Sequence, residues 1–351
     1  MNFSLTPEEQ EILQLAERFF NTKCPISNRS VTSPFSRGLY REMGQLGLFG
    51  AAVKEDLGGM GGTSFQSVLV AEAAGRELVP GPWLEHLWAI RLLADVPDQD
   101  PRVVAPLLTG DALASLWLPT SVDEAVKTHS DHTVSGEIRA LAYAGGTELW
   151  LTALPESKSV KIVALRADSP GISHLPIASW DPLWEGARVQ LDHVPVALDL
   201  GVSHEQYQAT VHYGSTLVTM AMYGGARRVL EDTVEYLKMR HQFGQPIGAF
   251  QALKHQAADL FIMLEHAGSL VYAAAASDHE ESQKLWVPMA KVRMESTYRH
   301  IVETAIQLHG GIGFTESLPL HYFLKNAWTN RFRAGSPSFH RRRLARSLGL
   351  S

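Results

Sequence analysis

Cysteine is all but missing from this chain, with Cys24 alone among 351 residues. A single thiol excludes an internal disulfide framework and any cysteine-based metal cluster. Long apolar runs are missing as well. The richest stretch, 262–276, is interrupted by Glu265, His266 and Ser269, so it falls short of the roughly 18 apolar residues that a span requires. No membrane span is expected. Basic charge is in deficit, with 31 Lys and Arg against 37 Asp and Glu and a formal net charge of −6. That balance argues for no nucleic acid as the main partner. The opening residues Met1-Asn2-Phe3-Ser4-Leu5 carry neither a basic nor an apolar signal region, which predicts a cytoplasmic protein.

What is present is ample core material. The chain is 45% hydrophobic and 19% charged, a globular composition long enough for two or three domains. Thr6-Pro7-Glu8-Glu9 combines an N-cap, a Pro at N1 and a capping-box Glu. Ile12, Leu13, Leu15, Ala16, Phe19 and Phe20 continue it as an apolar helical stripe. Further helices are expected at about 36–46, 64–76 and 84–93. Gly58–Gly62 lacks the preceding strand and the spacing of a dinucleotide fingerprint, so it reads as a turn between helices.

Past Gly110 the period changes to alternation. Strands are expected at 112–118, 132–138, 148–154, 160–166 and 187–191, forming a small antiparallel sheet domain. From Ser203 the helical period returns, in long segments at 203–240, 251–277 and about 282–308, with one further segment after Thr315. Long antiparallel helices with short connections make a four-helix bundle. The expected fold class is α+β: an N-terminal helical domain (1–109), a β-sheet domain (110–202) and a C-terminal bundle (203–351).

Two strings carry the chemistry. Arg240-His241-Gln242-Phe243-Gly244-Gln245-Pro246-Ile247-Gly248-Ala249-Phe250-Gln251 joins the first two long helices. Gly244 and Pro246 are expected to end the first helix, and Arg240 offers a planar fork for phosphate. The second string is Gln307-Leu308-His309-Gly310-Gly311-Ile312-Gly313-Phe314. The first closely resembles the R-x-x-F-G-x-P-I-x-x-F-Q segment of the flavin-dependent acyl-CoA dehydrogenases, and the second resembles their Q-x-x-G-G-x-G-F/Y. With helices, sheet and bundle in the same order, the resemblance covers almost the whole chain.

In that family the two strings reach across a dimer interface to the nucleotide end of a neighbouring subunit's FAD. The resemblance therefore implies a cofactor-binding half-site of Arg240, Gln242, Phe243, Gln307, Gly310 and Gly311. His309 reads as a packed polar residue at a helix end. The family holds the flavin ring with T-E-P-x-x-G-S-D and W-I-T strings. Here the first becomes Leu116-Trp117-Leu118-Pro119-Thr120-Ser121-Val122-Asp123, and the second falls on Ala140-Leu141-Ala142. The family's base, a Glu that takes the α proton while a hydride leaves the β carbon, falls on Ala334; the alternative site on the long helix falls on Gly214. Neither can accept a proton. Glu303 and Glu316 remain as substitutes, each expected to be solvated.

The implied function is α,β-dehydrogenation of an acyl-CoA substrate with FAD, this chain being the base-lacking subunit of a hetero-oligomer. Its partners would be a homologous catalytic acyl-CoA dehydrogenase subunit and electron-transfer flavoprotein or a similar acceptor. Some bacterial heterotetramers of the family act on steroid side chains, which extends the expectation to that substrate class. Two alternatives stand: a self-sufficient homo-oligomer with an unrecognised base, and a non-enzymatic scaffold. The basic tail (Arg331, Arg333, His340, Arg341, Arg342, Arg343, Arg346) would meet phosphates or acidic groups of a partner, or form a solvated face.

Overall fold

Thr6 accepts the Glu9 N–H while the Glu9 carboxylate takes the Thr6 N–H, so the expected capping box opens the first helix, α1 (Pro7–Lys23). This computed structural model describes residues 5–28, 35–96, 99–118, 126–155, 160–277 and 279–350. The next helices are α2 (Arg37–Gln45), α3 (Ser64–Arg76), α4 (Trp83–Ala94) and α5 (Pro101–Leu108). The strands are β1 (Ala114–Trp117), β2 (Val126–Thr128), β3 (Thr133–Ala142), β4 (Leu149–Pro155), β5 (Val160–Arg166), β6 (Ile172–Ile177), β7 (Gly186–Pro195) and β8 (Leu198–Val202). Then come α6 (His204–Met239), α7 (Gln251–Ala275), α8 (Glu280–His309), α9 (Leu320–Asn330) and α10 (Pro337–Ser347). The chain divides into two units. One comprises Met1–Ser33, Val68–Val79 and Ser215–Ser351; the other comprises Pro34–Ser67 and Pro80–Gly214.

The first unit is helical. Within it α8 packs against α7, α9 and α10. The α3–α6 crossing is tight enough that a methyl group on Gly224 would lie 2.0 Å from the Glu72 carbonyl oxygen. Glu72 is fully buried. It is tolerated there because Tyr272 (2.6 Å) and Arg227 (3.0 Å) both donate to its carboxylate. The single segment expected after Thr315 is instead the two short helices α9 and α10. Pro288 lies inside α8 and is buried.

The second unit carries the β structure, and here the expected single antiparallel sheet needs correcting. Among the described residues two four-stranded sheets are present, ordered β1-β4-β5-β8 and β2-β3-β7-β6. The pair β1–β4 is parallel. The chain leaves the first sheet after β1, forms β2 and β3 in the second, and returns, so β4 runs alongside β1 in the same direction. Trp150 and Leu165 of one sheet meet Ile138, Leu141 and Val189 of the other in the shared core. His86 of α4 joins the elements beside the sheets. Its Nε2–H donates to the Leu107 carbonyl at 3.0 Å, and its Nδ1 accepts the Ala114 N–H at 3.0 Å. Complete burial holds this imidazole neutral and brings its pKa down to about 4.

Candidate functional site

Helix α6 ends at Met239 and gives way to a hairpin rather than to a simple helix stop. His241 pairs with Pro246 and Gln242 with Gln245. The turn between them places Phe243 at φ 51° and Gly244 at φ 80°. Two successive positive φ values make a type I′ turn, whose twist matches paired strands. The expectation that Gly244 and Pro246 terminate the helix is therefore corrected: they shape the hairpin. The Ile247 N–H closes it onto the Arg240 carbonyl at 2.7 Å, and α7 begins four residues later.

Arg240 stands at the base of this hairpin, exposed. Its guanidinium forms no ion pair among the described residues, although neighbouring Arg227 and Arg228 on α6 are both paired with carboxylates. Gln242 is exposed, its amide donating to the His241 carbonyl. Phe243 is 91% exposed and meets Phe250 edge to face. A bulky residue at positive φ with its ring in water has no folding advantage.

The second string begins at the end of α8. Gln307 is exposed, and its carbonyl accepts the Gly310 N–H. Gly310 has φ 64° and ψ −143°, a region that side chains resist. Nothing within 4 Å would meet a methyl group at Gly310 or Gly311, so no packing inside the chain explains a glycine at 311. Bare backbone open to the outside is what close approach of a ligand requires. Gly313 differs, since a methyl there would lie 2.4 Å from the Ile306 carbonyl.

The two strings are brought together by residues that their patterns do not single out as a pair. The Tyr236 ring stacks on His309 with centroids 4.2 Å apart, and its hydroxyl donates to the His309 carbonyl at 3.2 Å. His309 is 6% exposed and its Nδ1–H donates to the Ala305 carbonyl at 2.8 Å, so the expected packed role holds. Burial lowers its pKa. The signal for Tyr236 in the sequence is its position one helical turn before Arg240.

The expected base positions are empty for identifiable reasons. At Gly214 a methyl group would lie 2.1 Å from Cε2 of the Trp88 ring. That indole is 6% exposed and anchored by Nε1–H donation to the Thr210 carbonyl at 2.8 Å. An aromatic ring thus fills the space that a carboxylate would need. Ala334 sits at φ 54°, its carbonyl accepting from His340 Nε2–H at 2.9 Å and from Ser215 at 3.3 Å. Cations lie nearby. Lys291, 1% exposed, donates to the Asn330 carbonyl at 2.5 Å, and burial brings its pKa down to about 7. Arg333 donates to the Asn330 side chain.

Neither substitute acid occupies a water-excluded site. Glu303 is exposed and paired with Arg299 at 3.1 Å, and Glu316 is exposed. Of the positions corresponding to the family's ring-binding strings, Ala140 is exposed, while Leu141 and Ala142 are buried on β3. Pro119–Asp123 lies outside the described residues. In the basic tail, Arg331 pairs with Glu295, His340 is buried and Arg343 covers Phe339, whereas Arg341, Arg342 and Arg346 are exposed. No group of three or more His, Cys, Asp or Glu among the described residues could hold a metal ion. No described helix is long and apolar enough to cross a membrane.

Comparison with known proteins matches residues 205–349 to the acyl-CoA dehydrogenase C-terminal domain and residues 6–93 to the acyl-CoA dehydrogenase N-terminal domain. Acyl-CoA dehydrogenase IpdE2 of Mycobacterium tuberculosis is 30% identical over 301 residues, 86% of this chain and 83% of that protein. Among solved structures, a variant of the Tcur3481–Tcur3483 steroid ACAD superposes with a TM-score of 0.85 at 24% identity, covering 97% of this chain and 98% of that one. The ChsE4–ChsE5 complex of M. tuberculosis gives 0.87 at 23% identity, with all of both chains covered.

Proposed function

The chain belongs to the acyl-CoA dehydrogenase family, and from that premise we propose that it is the base-lacking subunit of a cytoplasmic, FAD-dependent heteromer. In this reading it completes the nucleotide half of the FAD site of a homologous catalytic subunit. The observation that carries it is the indole of Trp88 in the space beside Gly214, together with an Ala at 334. A chain with no acid at either place lacks the carboxylate with which the family takes the α proton of a thioester, yet its nucleotide-facing strings are kept in the open.

FAD is the cofactor, and the residues present fit it. Arg240 supplies a fork for a pyrophosphate, Gly310 and Gly311 offer approachable backbone, and Gln242, Phe243 and Gln307 stand exposed on the same two strings. When bound, FAD supplies the hydride acceptor for α,β-dehydrogenation of the acyl-CoA. This chain's own contribution is to bind and orient the nucleotide end. The catalytic subunit supplies the Glu and the flavin-ring contacts, and electron-transfer flavoprotein or a similar acceptor takes the electrons onward. The two-component complexes among its structural neighbours, one of them a steroid ACAD, support a heteromer and a steroid side-chain acyl-CoA as substrate.

The test is flavin content per chain, with and without a co-expressed homologous subunit. About one FAD per pair, and none on this chain alone, is the expected result. A yellow, active oligomer of this chain by itself would sink the reading.

A further inference from the structure

Tyr236 is bonded at both ends. Its hydroxyl donates to the His309 carbonyl at 3.2 Å, and its own carbonyl accepts the Arg240 N–H at 2.9 Å. One residue thus connects the last peptide before Gly310 with the first residue of the hairpin. The Arg240 carbonyl in turn holds Ile247 at 2.7 Å, so the position of the hairpin is set from the same residue. The ring stack on His309 fixes the rotamer of Tyr236, and the Nδ1–H bond to Ala305 fixes the plane of His309.

From this geometry we infer that Tyr236 is a positioning residue that aligns the Arg240 hairpin with the Gly310–Gly311 backbone for one shared diphosphate-bearing ligand; the inference rests on the nucleotide half-site proposed above. Two strings that bind one pyrophosphate must keep a fixed spacing, because a displacement of about 1 Å costs hydrogen-bond geometry at both ends. Two helices in contact only through apolar packing would allow such sliding. A directed bond between the end of α6 and the end of α8 removes that freedom. The ring buries apolar surface whether or not the hydroxyl is present, so Tyr236→Phe separates the latch from the packing.

FAD is titrated into the purified assembly containing this chain, using the wild type, Tyr236→Phe, Arg240→Gln and the double variant. Tyr236→Phe is expected to weaken FAD binding by about fivefold, the range of one neutral hydrogen bond. Most of that effect should vanish in the Arg240→Gln background, because the latch acts by placing Arg240. Additive losses, or an unchanged affinity in Tyr236→Phe, overturn the latch. An unchanged affinity in Arg240→Gln overturns the half-site reading instead. The wild type gives an independent check by hydrogen exchange. FAD must slow the amides of 236–247 and of 309–314 together, and protection of one segment without the other counts against a latch.

Discussion

At the scale of single residues, Gly214 and Phe243 show opposite relations between folding and use. Replacing a mid-helix glycine by Ala ordinarily gains up to about 1 kcal/mol. At 214 the new methyl meets the Trp88 ring at 2.1 Å, and overpacking of that kind costs roughly 1–3 kcal/mol. Gly214→Ala should therefore destabilise, by a net of up to ~2 kcal/mol in urea unfolding, and a gain in stability would show that the indole yields. Phe243 is the converse case. Its positive φ at the first turn position suits Asn far better. Phe243→Asn should raise stability by roughly 1 kcal/mol while weakening FAD retention in the assembly. If retention is unchanged, the exposed ring serves neither cofactor nor partner.

At the scale of elements, His86 joins α4, the end of α5 and the start of β1, and its titration contributes to stability. Its folded pKa, about 4, lies below the ordinary value of roughly 6.5. The unfolded chain therefore binds the proton more readily. Stability is fully present above about pH 6.5 and is lost as pH falls towards 4, with a limiting slope near ~1.4 kcal/mol per pH unit. A pH series of urea unfolding curves should show this slope in the wild type. It should be absent in His86→Gln, which keeps a polar side chain that does not titrate.

The same scale separates what is legible in the sequence from what is not. α1 and α3 are readable because caps and apolar stripes are local signals. α5 escapes the pattern, although Asp100-Pro101 is a good helix start, because Pro106 interrupts it. β6 escapes because it is an edge strand containing Pro176, with mostly exposed residues and no alternation to read. The Gly244 turn misleads because Gly and Pro end helices and build hairpins with equal ease. Contacts such as Trp88 with Gly214, 126 positions apart (214 − 88), leave no local trace. The residues of the proposed half-site can be named from a motif, but that Tyr236 and His309 join the two strings cannot.

At the scale of the whole molecule, large apolar side chains stand in water along one helix and the two strings. Phe243, Phe261, Ile262, Ile312 and Phe314 are exposed by 91%, 56%, 50%, 43% and 76%. Isolated apolar residues on a surface are ordinary, but several large ones exposed together suit an assembly. If the proposed heteromer is right, sedimentation should find the chain self-associating when expressed alone and in a defined complex with a co-expressed homologous subunit. Phe261→Asp combined with Ile262→Asp should abolish that complex while leaving the helical circular dichroism unchanged. A complex that survives both charges would show that this face of α7 remains outside the assembly.

The aromatic ring lodged against α6 also bears on ancestry. An acid gained at 214 by one codon change would arrive in filled space and harm the fold before it could aid turnover. At that position an acid would demand two coordinated changes, a smaller side chain at 88 and the acid at 214, each disfavoured without the other. Such a ratchet closes this position on α6 to a proton-accepting side chain for as long as the indole stays.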